Sequence, residues 1–285
     1  MVALKYAHNF SDHFSMGAGI KYIYSDLTNS MTIGNVETYP GNSMAVDLGF
    51  DYRRFLFQGE NFRLKWNAGL SIINFGSKVK YADQAGNTDF NNQDLVFGSL
   101  FNSESENGDF IPQVLKIGTL FTLSWDLDSN NYLAWDIAYQ VDKLLVPTPP
   151  VYGTDSDGKT IIADGMDPDV SVWKGAMQSF YDAPGGTAEE LHEIVHQVGT
   201  EVRTIFFDYM GLIAVRSGYF HEHETKGNRE FFTVGIGGGY AGFRLDFAYL
   251  IPTDQRSPLE NTLAMSLGAR FNLGQTPFFK FIEQE

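Results

Sequence analysis

Cysteine is absent from the 285 residues, which excludes disulfide scaffolding and every thiolate site, catalytic or metal-binding. No stretch approaches the eighteen or so apolar residues of a membrane helix. Positive charge is scarce: 20 Lys and Arg stand against 35 Asp and Glu, a net charge of −15, so nucleic acid is a poor partner. Neither a nucleophile elbow nor a phosphate-binding glycine loop occurs, and no charged leader with an apolar core precedes the first patterned segment.

What is present is alternation. From Phe14, the residues Met16, Ala18, Ile20, Tyr22 and Tyr24 interleave with Ser15, Gly17, Gly19, Lys21 and Ser25, the period of a strand with one apolar and one polar face. Met44 to Tyr52 and Phe62 to Ile72 repeat it, as do Leu115 to Trp125, Leu133 to Val141, Ile194 to Phe206, Leu212 to Tyr219, Phe231 to Tyr240, Phe243 to Leu250 and Leu263 to Leu273. With Val2 to His8 this predicts about eleven strands, each of a length that crosses a bilayer when tilted. The 15% aromatic content fits girdle residues, because Tyr52, Trp66, Trp125, Trp135, Tyr139, Tyr219 and Tyr249 fall near run ends.

The connections alternate between short and long. Short ones lie near Asn9 to His13, Arg53 to Glu60, Asp126 to Asn130, Asp208 to Gly211 and Ala241 to Gly242; long ones are Thr28 to Ser43, Asn74 to Asp109, Leu144 to Glu193, Phe220 to Arg229 and Ile251 to Asn261. A soluble sandwich has no reason to put every long connection on one side. The pattern predicts an all-β chain: a single transmembrane up-and-down antiparallel β-barrel domain over 1–285, in an outer membrane, with its long loops outside. Counting strands inward from the last one makes the first run inward too, so the reading expects an odd number of strands, and a signal peptide, upstream of Met1.

Three local motifs carry possible chemistry. "HEIVH", His192 to His196, matches a zinc-peptidase spacing, with Glu222 or Glu224 as a third ligand; yet His192, Ile194, His196 and Val198 also continue in period two, and residues four apart in a strand lie roughly 13 Å from each other, too far to share one ion. "DSDG", Asp155 to Gly158, lacks the later acidic ligands of a calcium loop. No metal or cofactor is therefore expected. The segment Asp167 to Gly186 predicts a loop helix with Asp167 or Asp169 as N-cap, Val172, Ala176 and Phe180 as its apolar stripe, and Pro184 with Gly185 as its stop. The long connections are acidic: Leu144 to Glu193 holds nine acidic residues against Lys159 and Lys174, and Asn74 to Phe110 holds six against Lys78 and Lys80.

The stretches "DKLLVPTPPV" (Asp142 to Val151), "GYFHEHETKGNREFFTVGIG" (Gly218 to Gly237) and "LDFAYLIPTDQRSPLENTLAMSLG" (Leu245 to Gly268) resemble the PorV family, also called LptO, of the type IX secretion system. That family is a Bacteroidota branch of barrels related to the fatty-acid transporter FadL. Two departures stand out: Ala264 sits where the family pattern often has Arg, and the tail "GQTPFFKFIEQE" runs past the usual final strand.

The resemblance implies a fourteen-stranded barrel, hence three strands upstream. It also implies a non-enzymatic role: docking beside the translocon barrel, capturing cargo by its C-terminal signal domain, and delivering it to the attachment complex with the sortase PorU. The residues that suit such contacts are Leu144, Leu145, Val146, Pro147, Pro149 and Pro150, an apolar, proline-stiffened exit from a strand. The charged tip His221, Glu222, His223, Glu224, Lys226, Asn228 and Arg229 suits rim contacts. The competing reading is a FadL-like channel for hydrophobic small molecules. It needs an apolar lumen, whereas the inward positions include Lys65, Asn67, Asp136, Gln140, Glu201, Arg244, Asp246 and Arg270.

Overall fold

The computed structural model describes residues 1–26, 32–33, 36–37, 40–79, 108–128, 131–206, 210–253, 260 and 262–269. The expectations for Asp208, Arg270 and the C-terminal tail, and most of the connection Asn74 to Asp109, lie outside the described residues.

Eleven strands form one antiparallel sheet in simple up-and-down order. They are β1 (Val2–Asn9), β2 (Phe14–Ser25), β5 (Gly41–Gln58), β6 (Phe62–Gly76), β7 (Val114–Asp126), β8 (Tyr132–Leu144), β11 (Ile194–Phe206), β12 (Gly211–His221), β13 (Glu230–Tyr240), β14 (Phe243–Pro252) and β15 (Leu263–Ala269), with β1 and β15 at the two ends of the order. Two small ladders belong to connections: β3 (Thr32–Ile33) with β4 (Val36–Glu37), and β9 (Val151–Thr154) with β10 (Thr160–Asp164). The connection from β8 to β11 also holds two short helices, α1 (Val172–Gln178) and α2 (Thr187–His192).

The period-two reading gives the sheet its two faces. Ile137 and Tyr139 on β8, Val198 and Val202 on β11, Ile213 and Val215 on β12, and Phe232, Val234 and Ile236 on β13 are all exposed, as an apolar face meant for lipid must be. Tryptophans on that face keep their N–H groups satisfied within the wall: Trp66 Nε1 donates to Thr119 Oγ1 and Trp135 Nε1 to Thr200 Oγ1, each at 2.8 Å.

Several strands take one to three residues from the expected long connections, as at Gly41–Ser43, Asn74–Gly76, Phe220–His221 and Ile251–Pro252, and one end differs more. Arg53 to Gln58 is strand, not turn, so β5 runs on to Gln58 and only Gly59, Glu60 and Asn61 connect it to β6. The Arg53–Arg54 pair interrupts the apolar alternation but not the ladder, because a long arginine reaches a polar level from a strand end.

The chain divides into two compact units. One comprises Met1–Asp51, Leu70–Lys116 and Asp142–Ile194; the other comprises Tyr52–Gly69, Ile117–Val141 and Val195–Glu285. The first unit holds the apolar cluster of Ala45, Val79 and Ile111, with Ile23 against it. Gly76 makes that packing possible, since a Cβ there would sit 2.5 Å from Ala45 Cα. Asn74, near the end of β6, has a φ of 58°, a left-handed conformation that Asn tolerates better than most residues. Its N–H donates to Asp47 Oδ1 at 2.9 Å and its Oδ1 accepts from Lys21 Nζ at 2.7 Å, tying the end of β6 to β2 and β5.

Candidate functional site

The long connection from β8 to β11 is a folded substructure. Leu145 is buried, at 5% exposure, and its N–H donates to Gln113 O at 2.7 Å. Pro147 packs beneath Gly175 of α1, where an added Cβ would lie 3.0 Å from Pro147 Cγ and 2.9 Å from Phe110 Cζ. Pro150 is buried beside Gly165. Of the proline-stiffened segment, only Leu144 and Pro149 are exposed, and Val146 is half-buried. An apolar segment followed by prolines can fold inward as readily as outward, and here most of it folds inward.

Buried polar bonds pin the connection down. Lys143 Nζ pairs with Glu190 Oε2 at 3.0 Å and also with Glu193. Glu193 Oε1 accepts from Thr148 Oγ1 at 2.6 Å, and Glu190 Oε1 from the Ala183 N–H at 2.7 Å. Asp182, 1% exposed, takes the Thr148 N–H at 3.1 Å. Burial pushes its carboxyl above the ordinary value; the Thr148 N–H and the Gln178 side chain oppose the shift, while Glu190 and Glu193 add to it.

The loop helix is present but turned differently from expectation. α1 begins at Val172 with Ser171 as N-cap, not at Asp167 or Asp169, and ends at Gln178, well before Pro184. Asp169 is instead drawn to Lys78, at 3.1 Å. Val172 and Ala176 are buried as expected, but Phe180 is exposed. It joins Trp173, Met177 and Tyr181 on the opposite side, with Trp173 set edge-on to Phe75 at 5.8 Å. The sequence carried part of that signal in the spacing of Trp173 and Met177, one helical turn apart on a second face; Phe180 and Tyr181 follow in the turn after α1.

"HEIVH" straddles a helix end and a strand start. His192 is the last residue of α2, Glu193 is its C-cap, and Ile194 opens β11. His192 therefore lies in a helix and not on the strand as read from period two. Its Nδ1 is 3.3 Å from Glu189, Glu193 belongs to the Lys143 pin, and His196 Nδ1 bonds the Tyr139 hydroxyl at 2.8 Å. Among the described residues no group of three His, Asp or Glu is arranged to hold a metal. Asp155 of "DSDG" uses its carboxylate on the turn, accepting the Asp157 and Lys159 N–H groups at 2.9 Å each.

The charged tip between β12 and β13 is also largely self-satisfied. Arg229 clamps the buried Glu222 carboxylate with two bonds of 2.6 and 2.8 Å and lies over the Phe220 ring. That clamp raises the Arg229 pKa further. Glu224 and Lys226 form a single 3₁₀ turn, capped by His223, which accepts the Thr225 N–H. Asn228 takes a left-handed φ of 52° to close the loop. His221, at the end of β12, sits across the ladder from His196, with ring centroids 6.5 Å apart.

On the other face of the sheet, charges are linked in a chain. Asp136 of β8 pairs with Arg203 of β11, which is 2.9 Å from Glu201; Glu201 pairs with Arg216 of β12, which reaches Asp246 of β14 at 2.7 Å, and Arg244 closes on Asp246 at 2.8 Å. Arg216 crosses β13 because Gly237 stands between: a Cβ there would lie 2.8 Å from Arg216 Nη1. Sequence reading found Asp136, Glu201, Arg244 and Asp246 but not Arg203 and Arg216, although residues 201 and 203 share a face by parity alone. A lumen for hydrophobic solutes needs apolar lining, and this face carries an ionic network.

An up-and-down antiparallel sheet with an exposed apolar face, a charged opposite face and alternating short and long connections defines the class of outer-membrane β-barrel proteins. Within that class the chain belongs to the PorV family of type IX secretion system proteins, whose family profile matches residues 1–151. No curated protein matches the chain. Family and all-β fold together fit an outer-membrane location and partnership with the secretion machinery.

Proposed function

We propose that this protein captures secreted cargo by its C-terminal signal domain at the translocon and carries it to the attachment complex that contains the sortase. The contacts are made by the long connections on the outer side of the membrane, foremost by residues 144–193. One observation carries this reading: the connection is folded and tied to the end of β8 by the Lys143 pairs with Glu190 and Glu193. A preordered surface binds without the entropic cost of ordering a loop. In the proline segment the contact residues are Leu144 and Pro149, with Leu145, Pro147 and Pro150 as support; in the charged tip they are Glu224, Lys226 and Asn228, held by the Glu222–Arg229 clamp beside His221.

The test uses the full chain, purified in detergent, and a type IX cargo with and without its C-terminal signal domain. Saturable binding is expected only when that domain is present. Absence of binding, or equal binding of the truncated cargo, would overturn the reading.

A further inference from the structure

We propose that Trp173, Met177, Phe180 and Tyr181 form the centre of a docking surface for a folded protein partner whose contact area is apolar and ringed by lysine and arginine. This rests on the reading that residues 144–193 meet secreted cargo, and it names where and by what chemistry.

α1 is seven residues long. Its inner side is spent on packing, with Val172 3% and Ala176 5% exposed, yet Trp173 on its outer side and Tyr181 in the turn that follows are 60% and 62% exposed, and the exposed charge on the helix is Lys174. A surface helix ordinarily turns polar residues outward. Four large apolar side chains within nine residues, left open in a connection rich in charge, are the mark of an interaction site, and Trp, Tyr, Phe and Met are the residue types enriched at interface centres. The patch is also rigid. Gln178 Nε2 donates to Asp167 O at 2.8 Å, Asp169 is paired with Lys78, and Trp173 rests on Phe75.

Charge decides the occupant. Of the nine acidic residues of 144–193, Glu190 and Glu193 are matched by Lys143, Asp169 by Lys78, and Asp182 is buried; Asp155, Asp157, Asp164, Asp167 and Glu189 stand against the exposed Lys159 and Lys174, so the surface is net negative. A surface of that sign repels anionic lipid headgroups. It equally repels a second copy of itself. A basic-ringed protein surface satisfies both the patch and its rim.

The experiment measures binding of the full, detergent-purified chain to an isolated type IX signal domain whose exposed apolar patch is flanked by Lys and Arg. Heat-modifiable gel mobility confirms the fold of each variant. Trp173→Ser with Tyr181→Ser is expected to weaken binding by about tenfold or more. At Met177, whose side chain points out of the helix packing, Met177→Lys is expected to weaken binding more than Met177→Glu, and added salt to weaken the wild type. Unchanged binding by the double variant, or Met177→Glu at least as harmful as Met177→Lys, overturns the proposal while leaving cargo capture intact. Wild-type adsorption to phosphatidylglycerol vesicles that the double variant loses would make the patch a lipid site and also overturn it. If the wild type binds no signal domain, cargo capture itself fails, and the proposal with it.

Discussion

Lys143, next to the last residue of β8, reaches Glu190 of α2 at 3.0 Å, and both side chains are about nine-tenths buried. The pair joins a strand end to a helix 47 positions later, and Glu193 shares the same ammonium. Together they tie the connection to the end of β8.

Removing the cation strands two carboxylates in a site with little water. Breaking a buried ion pair from one side costs about 3–5 kcal/mol, so Lys143→Met should release the connection. Limited proteolysis should cut between Val151 and Glu193 much faster than in the wild type, while heat-modifiable mobility of the barrel stays the same. Equal cleavage rates would show that the pair is not the anchor. Lys143→Met combined with Glu193→Gln should recover part of the protection, because one uncompensated charge is then gone.

Asp182 adds a pH dependence. Its ordinary value is 3.8 and burial raises it in the folded protein. A carboxyl with a raised pKa holds its proton more tightly when folded, so the folded connection is most stable at acid pH and loses stability as pH climbs above that ordinary value. Asp182→Asn cannot ionise and should therefore protect the connection better than wild type at pH 8, with the difference closing toward pH 4. Amide exchange of residues 171–193 measures this. A parallel pH trend in both proteins would contradict it.

The ionic chain on the inner face gives a prediction about the wall. Gly237→Val places a branched side chain where Arg216 crosses to Asp246, and Arg216→Met removes the crossing residue. Each leaves charged groups unmatched, at a cost of about 1–3 kcal/mol. Both variants should unfold at lower temperature in heat-modifiability assays, whereas Ile236→Val, on the exposed apolar face, should not. No shift in either variant would mean water serves these charges as well as their partners do.

Much of the wall was legible because a strand states its two faces at every residue. Phe231 to Tyr240 predicts β13 to within one residue, and Ile194 to Phe206 gives β11 without error. The places that resisted reading depend on partners distant in sequence. Nothing near Asn74 shows that it will turn left-handed to meet Lys21 and Asp47. Asp169 looked like a helix cap until Lys78 claimed it. At the candidate site, leucine and proline at 144–150 suggested an exposed surface, but Gln113, Phe110 and Gly175 take up most of it. The inward stripe of Val172 and Ala176 was legible, but Trp173 and Met177 on α1 and Tyr181 after it were not singled out, and Phe180, placed in that stripe, lies past the helix end and is exposed.

The central claim is that the long connections, with their acidic and aromatic platform, face the cell exterior while the short turns face the periplasm. The chain has no native cysteine, so single introduced thiols report without background. Asp157, at the tip of the β9–β10 hairpin, and Asp128, in the short β7–β8 turn, are both exposed. With a membrane-impermeant maleimide on intact cells, Asp157→Cys is predicted to label fully and Asp128→Cys only after the outer membrane is opened. Labelling of Asp128→Cys with protection of Asp157→Cys would invert the orientation and remove the docking surface from the side where cargo emerges.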